Sequence, residues 1–304
     1  MSVLPGHCSV PRFGSPVGGT RQARVQLVTV AVAVKVFDGI VLATDSATTL
    51  LLDGGAAQVY NGADKIFHLH RRRPVAAMTW GNGVIGTASI ATLAKDLRRR
   101  FMGLDPARAD WELQDDYTVE GVASRLVDMM FDELYAPLAN HGVLGFLVAG
   151  YSGGSKASEA WLVILEDPAT RPVPVLAAGP DQSGWMAYAQ PEAIQRLFNG
   201  YDHHLVAELG RVIEAAHIPS VMGVLNRRST QPAQPSMPLP DAINLAGFMV
   251  DVTIGYSRFL LGADTVGGPT EVASITRHEG FKWISRKHYY DPRLNPGDLD
   301  HDRQ

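Results

Sequence analysis

Cysteine is nearly absent from this sequence, because Cys8 is the single one among 304 residues. One cysteine excludes an internal disulfide framework and indicates a reducing compartment. The sequence also lacks an apolar run of the roughly 18–20 residues that a membrane-spanning helix needs. Residues 1–28 lack the hydrophobic stretch of a secretory signal. These absences predict a cytoplasmic protein that has no membrane partner.

A strong charge of either sign is missing as well. The chain has 27 Lys and Arg residues against 31 Asp and Glu residues, which gives a formal net charge of −4. This balance gives no reason to expect nucleic acid as a partner. With neither an internal repeat nor a sharp break in composition, the chain is predicted to form a single domain over residues 29–285. Residues 1–28 are predicted to be an irregular extension or propeptide, and residues 286–304 a polar tail.

The clearest local pattern is TVAVAVKVFDGIVLATD at residues 29–45. Its first half alternates valine with small or polar residues, which is the period of a strand. Asp38-Gly39 favours a tight turn, and a second apolar run returns from it. The pattern predicts a hairpin in which Thr29 and Asp45 lie at the same end of the sheet.

Further along the chain, strand patterns and helix patterns are segregated, which favours the α+β class over alternating βαβ units. Residues 48–62 are predicted to form a second short hairpin or an extended loop. The Pro- and Ser-rich residues 219–240 are predicted to form a surface loop, and Asp241 is a plausible N-cap for a long helix. The other predicted strands are 64–69, 75–80, 145–150, 160–165, 173–178, 270–276 and 280–284, and the predicted helices are 87–100, 119–138, 191–199, 204–216 and 241–261.

Two patterns suggest ligands but are better explained without them. Residues 81–86 read GNGVIG and lie between a strand and a helix, as a dinucleotide-binding fingerprint does. The next segment is helical where a parallel strand is required, so a glycine turn is favoured and nucleotide binding stays a third hypothesis. His68 and His70 share one face of a strand but have basic neighbours and no obvious further ligand. The pair His203-His204 is interpreted as solvated, and neither a metal nor a cofactor is expected.

Thr29, Asp45 and Lys65 together carry possible chemistry. A threonine hydroxyl is a weak nucleophile and needs a nearby base. Cleavage before Thr29 would create an α-amine with an ordinary pKa of about 7.7–8.0 that could serve as this base. Asp45 would orient Lys65, and the N–H of Gly81 could stabilise an oxyanion. A strand threonine beside a structural ion pair is the alternative interpretation.

Several segments resemble the proteasome subunit family of N-terminal nucleophile (Ntn) hydrolases. They are TVAVAVKVFDGIVLATDSATT, DKIFHL, PVAAMTWGNGVIGTASIATLAKDLRRR, GFLVAGYSGGSKASEAWLVILED and DTVGGPTEVASIT. The resemblance covers roughly residues 29–283. It implies a four-layer αββα sandwich, with two antiparallel sheets between helix layers.

The resemblance also implies an activity and an assembly. Thr29, Asp45, Lys65 and Gly81 fall on the family's nucleophile, its aspartate and lysine, and its oxyanion donor, and Asp264 falls on the acidic residue of the late motif. The implied function is cleavage of peptide bonds in peptide or protein substrates by a threonine exposed through processing. The implied assembly is a homo-oligomeric ring.

Two departures keep a second hypothesis open. Val28 stands where active family members place glycine, and valine should hinder self-cleavage because its Cβ crowds the strained turn. Val266 stands where the late motif has serine. A noncatalytic ring or scaffold subunit is therefore the alternative function.

Overall fold

The computed structural model describes residues 24–27, 29–51, 57–138, 142–261 and 266–288, with the backbone alone at 24–27, 50–51 and 57. Val28 and Asp264, both named above, lie outside the described residues. So do residues 1–23 of the predicted extension and residues 289–304 of the predicted tail.

The described chain alternates groups of strands with groups of helices. The strands are β1 (Arg24–Leu27), β2 (Val30–Val36), β3 (Gly39–Thr44), β4 (Thr48–Leu51), β5 (Ala57–Tyr60), β6 (Ile66–His68), β7 (Val75–Asn82), β8 (Val84–Ile85), β9 (Ala88–Ser89), β10 (Leu144–Gly150), β11 (Glu159–Leu165), β12 (Val175–Ala178), β13 (Gly184–Ala189), β14 (Glu271–Thr276) and β15 (Gly280–Ser285). The α-helices are α1 (Ile90–Phe101), α2 (Val119–Val127), α3 (Glu192–Asn199), α4 (His203–Val212), α5 (Ile218–Asn226) and α6 (Leu239–Arg258). Short 3₁₀ helices cover Pro106–Trp111 and Ala215–His217, and a π-helical segment, Asp128–Tyr135, continues α2.

The strands form two main sheets. The larger has the order β12-β11-β10-β7-β1-β4-β5, with β6 also paired to β7, and the smaller has the order β13-β2-β3-β14-β15. A two-stranded ribbon joins β8 and β9. Every strand pair in the described part of the chain is antiparallel. The protein is therefore mixed α+β with antiparallel sheets, and the predicted class is confirmed.

The hairpin predicted at residues 29–45 is formed by β2 and β3. Its two strands pair from Ala31 opposite Thr44 to Val36 opposite Gly39. Both faces of β2 are buried, because its valines and its alanines lie in two different apolar clusters. A Cβ on Gly39 would stand 2.6 Å from the carbonyl oxygen of Ile275, so glycine lets β14 approach this turn closely.

Three apolar clusters stabilise these elements by burying their side chains. The first joins the larger sheet to α1, α2 and the π-helical segment, with Leu97 and Leu126 among its members. The second contains side chains from both sheets, including Leu42 and Met78. The third joins the smaller sheet to α3 and α6, with Ile194 and Met249 among its members.

Two predictions about the C-terminal half are wrong. The first part of the predicted loop 219–240 is helix α5, and a proline in the first turn of a helix sacrifices no intrahelical hydrogen bond. Asp241 lies inside the first turn of α6, and Pro238 occupies the N-cap position. Proline near the start of each helix was therefore misinterpreted as a sign of irregular chain.

The observed boundaries of other elements differ from the predicted ones for local reasons. Arg24–Leu27 belongs to a strand, although it was assigned to the irregular extension. Helix α1 begins at Ile90 because the preceding residues pair in β9 and the Ser89 side chain caps the helix by accepting from Thr92 N–H. Strand β13 was not predicted, since its sequence GWMAYA carries little of the alternation typical of a half-buried strand. Among the described helices, none is long and apolar enough to cross a membrane.

Candidate functional site

Thr29, Asp45 and Lys65 lie in mutual contact. The Thr29 hydroxyl donates a hydrogen bond to Asp45 Oδ1, and Lys65 Nζ donates one to the Thr29 hydroxyl oxygen. Lys65 Nζ also lies 2.7 Å from Asp45 Oδ1. All three residues are 0% exposed. The structure thus gathers a hydroxyl, a carboxylate and an ammonium in one buried site.

Strand register brings these residues together. Thr29 immediately precedes β2 and Asp45 immediately follows β3, so the hairpin places them at one end. The Thr44 hydroxyl fixes this end by donating to the carbonyl oxygen of Val30 at 2.9 Å. Lys65 comes from the larger sheet, directly before β6. The site therefore lies where the two sheets meet.

Backbone N–H groups hold the Asp45 carboxylate in place. It accepts from Val30 N at 3.2 Å, from Ala47 N at 3.1 Å and from Gly267 N at 3.0 Å. A buried carboxylate with this many donors has little freedom to rotate. Asp45 therefore orients both Lys65 and the Thr29 hydroxyl.

The pKa of Lys65 is lowered to about 8. Burial is the main cause, because it disfavours the ammonium, and the Asp45 carboxylate acts in the opposite direction. The nearby Lys287 lowers the pKa further. A lysine poised in this range can exchange a proton with a neighbouring hydroxyl near neutral pH.

A second, partly buried ion pair adjoins the site. Lys287 Nζ lies 3.0 Å from Glu271 Oε2 and donates to Ser46 Oγ at 2.9 Å and to the carbonyl oxygen of Ala63 at 2.6 Å. Burial raises the pKa of Glu271, and Lys287 opposes this shift. Ser46 follows Asp45 directly, so Lys287 supports the loop that carries the carboxylate.

Sequence reasoning missed Lys287, since it was assigned to the polar tail at residues 286–304. That boundary is wrong for Lys287, which is tied to Ser46, 241 positions away. No local sequence pattern predicts a contact between two residues this far apart in the chain. Gly267 belongs to the segment DTVGGPTEVASIT named above, and its N–H contact with Asp45 also depends on the tertiary fold.

Gly81 lies in β7 with φ of +96°, a conformation that favours glycine. A Cβ at this position would stand 2.3 Å from the carbonyl oxygen of Val143, so a larger residue would displace the strand. Leu27 lies opposite Gly81 in the pairing of β1 with β7. Gly81 is therefore close in register to the chain that leads into Thr29. Asp264, the fifth predicted site residue, is outside the described residues.

The geometry opposes a dinucleotide site at residues 81–86. Gly81 and Asn82 end strand β7, and each strand paired with β7 in the described chain is antiparallel. A dinucleotide-binding unit needs a parallel neighbour. The glycines here serve a short turn that includes β8 and β9.

The histidines of β6 and the turn after it have structural contacts. The His68 ring stacks on Phe281 with centroids 4.4 Å apart. His70 Nδ1 accepts from the backbone N–H groups of Arg72 and Arg73 at 3.1 and 3.0 Å. Burial lowers the pKa of both histidines to about 4, so both are neutral at pH 7.

Comparison with known proteins assigns the chain to no family. No model of a protein family matches the chain, and no curated protein matches it.

Proposed function

We propose that this protein is a threonine hydrolase of the Ntn type that cleaves peptide bonds after Thr29 becomes an N-terminus. The observation that carries the proposal is the hydrogen-bonded contact of the Thr29 hydroxyl with both Asp45 and Lys65 in a fully buried site. A strand threonine in an ordinary structural role has no need of both a carboxylate and a lysine with lowered pKa.

In the proposed reaction, Thr29 Oγ attacks the carbonyl carbon of a substrate amide. Its proton passes to the free α-amine of Thr29, assisted by Lys65, and then to the leaving amine. The C–N bond breaks and an ester to Thr29 forms. Water hydrolyses this ester and restores the hydroxyl. The N–H of Gly81 is the proposed donor to the oxyanion.

Strand β1 supports a peptide substrate. Its backbone pairs with Gly81 and Asn82 of β7 on one side and with β4 on the other. An extended backbone leading to Thr29 is thus held by main-chain pairing, a common mode of peptide recognition. Because Thr29 is 0% exposed, release of the preceding segment is required before a substrate can reach it.

The proposed fold is the four-layer αββα sandwich of the Ntn type. Its support is the separation of the apolar side chains into three clusters, one between the sheets and one on the outer side of each. Helices α1 and α2 belong to the first outer cluster, and α3 and α6 to the second.

Intact-mass measurement of the purified full chain tests the proposal. We expect loss of residues 1–28, retention of these residues in Thr29→Ala, and partial processing in Thr29→Ser. Val28→Gly should speed processing because glycine relieves crowding at the attacked carbonyl. A wild-type chain that keeps residues 1–28 and yet hydrolyses peptides would contradict the N-terminal threonine mechanism.

A noncatalytic ring or scaffold subunit is the second candidate. The observation that favours it is that Arg24–Leu27 forms an integral strand of the larger sheet, as a permanently retained extension would. In that case the wild-type mass stays complete, and Thr29→Ala changes neither mass nor assembly. Sedimentation would show a ring-sized species, whereas a monomer at all concentrations would contradict ring assembly.

A further inference from the structure

Glu192, His203 and His204, here called the α3–α4 cluster, lie together and make none of the contacts described for Thr29, Asp45 and Lys65. Glu192 opens α3, and the two histidines open α4. Their potential ligand atoms all lie within 4.8 Å of one another. Glu192 Oε1 is 3.5 Å from His204 Nε2 and 3.9 Å from His203 Nε2. The sequence interpretation of a merely solvated histidine pair omitted this carboxylate.

The tautomer of His203 suits a metal ligand. Its Nδ1 lies 3.0 Å from Gln195 Oε1, and that oxygen also accepts from the His203 backbone N–H at 3.0 Å. An amide oxygen only accepts, so Nδ1 carries the proton and Nε2 keeps its lone pair towards Glu192. Metal-bound histidines commonly show this second hydrogen bond, which fixes the ring.

The distances require only small adjustments for a tetrahedral ion. Zinc binds histidine nitrogen and carboxylate oxygen at about 2.0–2.2 Å, which sets ligand atoms roughly 3.3–3.5 Å apart. The Glu192–His204 separation of 3.5 Å already meets this value, and the Glu192–His203 separation of 3.9 Å is close to it. The ligand atoms of the two histidines lie within 4.8 Å of each other, and rotation of the exposed His204 side chain would bring them to this spacing.

The charge at the end of α4 is also compatible with a cation. Helix N-termini repel cations, but Asp202 Oδ1 accepts from the N–H groups of His204 and Leu205 at 3.0 and 3.2 Å. Because Arg196 Nε pairs with Asp202 Oδ2 at 2.6 Å, it is Glu192 that supplies the negative charge within the cluster itself.

We propose that Glu192, His203 and His204 bind one divalent transition-metal ion of the Zn²⁺ type, with water completing the coordination. Two imidazoles and one carboxylate form a donor set typical of such ions. The bound ion would tie the start of α3 to the start of α4 across the intervening turn. This proposal is independent of the chemistry proposed for Thr29.

Calorimetric titration of the full chain with Zn²⁺ alone tests the site, together with the visible absorption of bound Co²⁺ as a signature of coordination. We expect one ion per chain. His204→Ala removes an exposed side chain and should weaken binding at least about tenfold, and Gln195→Ala should weaken it by about 10–100-fold through loss of the second hydrogen bond. Glu192→Gln should weaken it too.

His217→Ala is the matched control, since His217 lies 3.8 Å from Glu214 in a separate exposed His–Glu pair. It should leave zinc affinity unchanged. Absence of saturable binding overturns the proposal. So does equal affinity in His204→Ala and the wild type, or an equal loss in His217→Ala, because either result would indicate adventitious surface binding.

Discussion

Two buried lysines lie at opposite ends of strand β2 and have different partners. Lys65 approaches the Thr29 end, where it contacts a hydroxyl and a carboxylate. Lys35, on β2 near the turn, is 3% exposed and donates to the backbone carbonyl oxygens of Pro180, at 3.1 Å, and Gln182. Burial lowers the pKa of both lysines.

The difference shows that burial of a lysine does not by itself mark a site of chemistry. The carbonyl oxygens around Lys35 have no proton to exchange, so this lysine holds the loop before β13 against the sheet. Lys65 contacts a hydroxyl that can become a nucleophile and a carboxylate that orients it. The partners decide the role, and the two lysines form a natural pair for experiments.

The largest expected difference between them is in activity. Lys65→Met should reduce peptide hydrolysis by about 10²–10⁴-fold, because it removes the group that assists proton transfer at Thr29. Lys35→Met should keep nearly full activity. The measurement is steady-state hydrolysis of a fluorogenic peptide panel by processed protein. A similar loss in both variants would show that the comparison reflects folding alone.

The two lysine substitutions should differ less in their effect on stability than in their effect on activity. Lys65→Met leaves Asp45 buried without its cation, at a cost of about 3–5 kcal/mol in the free energy of unfolding. Lys35→Met leaves two carbonyl oxygens without a donor, which costs about 1–3 kcal/mol. Denaturant unfolding of the uncleaved chain measures both. Replacing Asp45 by Asn in the Lys65→Met variant should restore part of the loss, and no restoration would contradict the assigned pair.

The pH dependence of the folding stability should report the titration of Lys65 specifically. Its folded pKa of about 8 lies below the ordinary 10.5, so between these values the unfolded chain holds the extra proton. Stability should therefore rise with pH across this window, by at most about 1.4 kcal/mol per pH unit, and the contribution is constant below it. Lys65→Met should lack this rise. Lys35, whose pKa is also lowered, should add a change in stability of the same sign. Comparison of Lys35→Met with the wild type gives the size of that contribution.

The smallest expected effect comes from Lys287. Its ammonium lowers the pKa of Lys65, so Lys287→Met should move the start of this rise to higher pH. Lys287→Met with Glu271→Gln is the control that avoids leaving a buried carboxylate unpaired. A start that stays in place in Lys287→Met would contradict coupling between the two ion pairs. The double variant should show a smaller shift, because the Glu271 carboxylate that it removes raises the pKa of Lys65.

The sequence reveals the parts of this site that depend on local pattern. Alternating valines and the Asp38-Gly39 turn are sufficient to place Thr29 beside Asp45, because hairpin register follows from the turn. Lys65 was named beside Thr29 and Asp45 for its chemistry, and the motif resemblance supported that choice. Its direct contact with Thr29 depends on the tertiary fold, in which β6 pairs with β7.

The rest of the site depends on contacts between distant segments. Lys287 reaches Ser46 and Glu271 from the end of the described chain, and neither partner carries a sequence signal for it. Helix α5 was missed because its proline suggested a loop, and β13 because its alternation is weak. Local rules fail in these places because tertiary packing decides the conformation.

The position of strand β1 in the larger sheet bears on aggregation. Among the described strands, it is the link between β7 and the β4–β5 hairpin. If cleavage before Thr29 released β1, the larger sheet would divide. The edge of β4 and the end of β7 at Gly81 and Asn82 would lose their partner, while β6 would stay paired to the rest of β7. Exposed edges readily pair with other chains. The uncut chain would then be the safer form to accumulate, and a cut chain would need a substrate or a partner subunit to cover the gap.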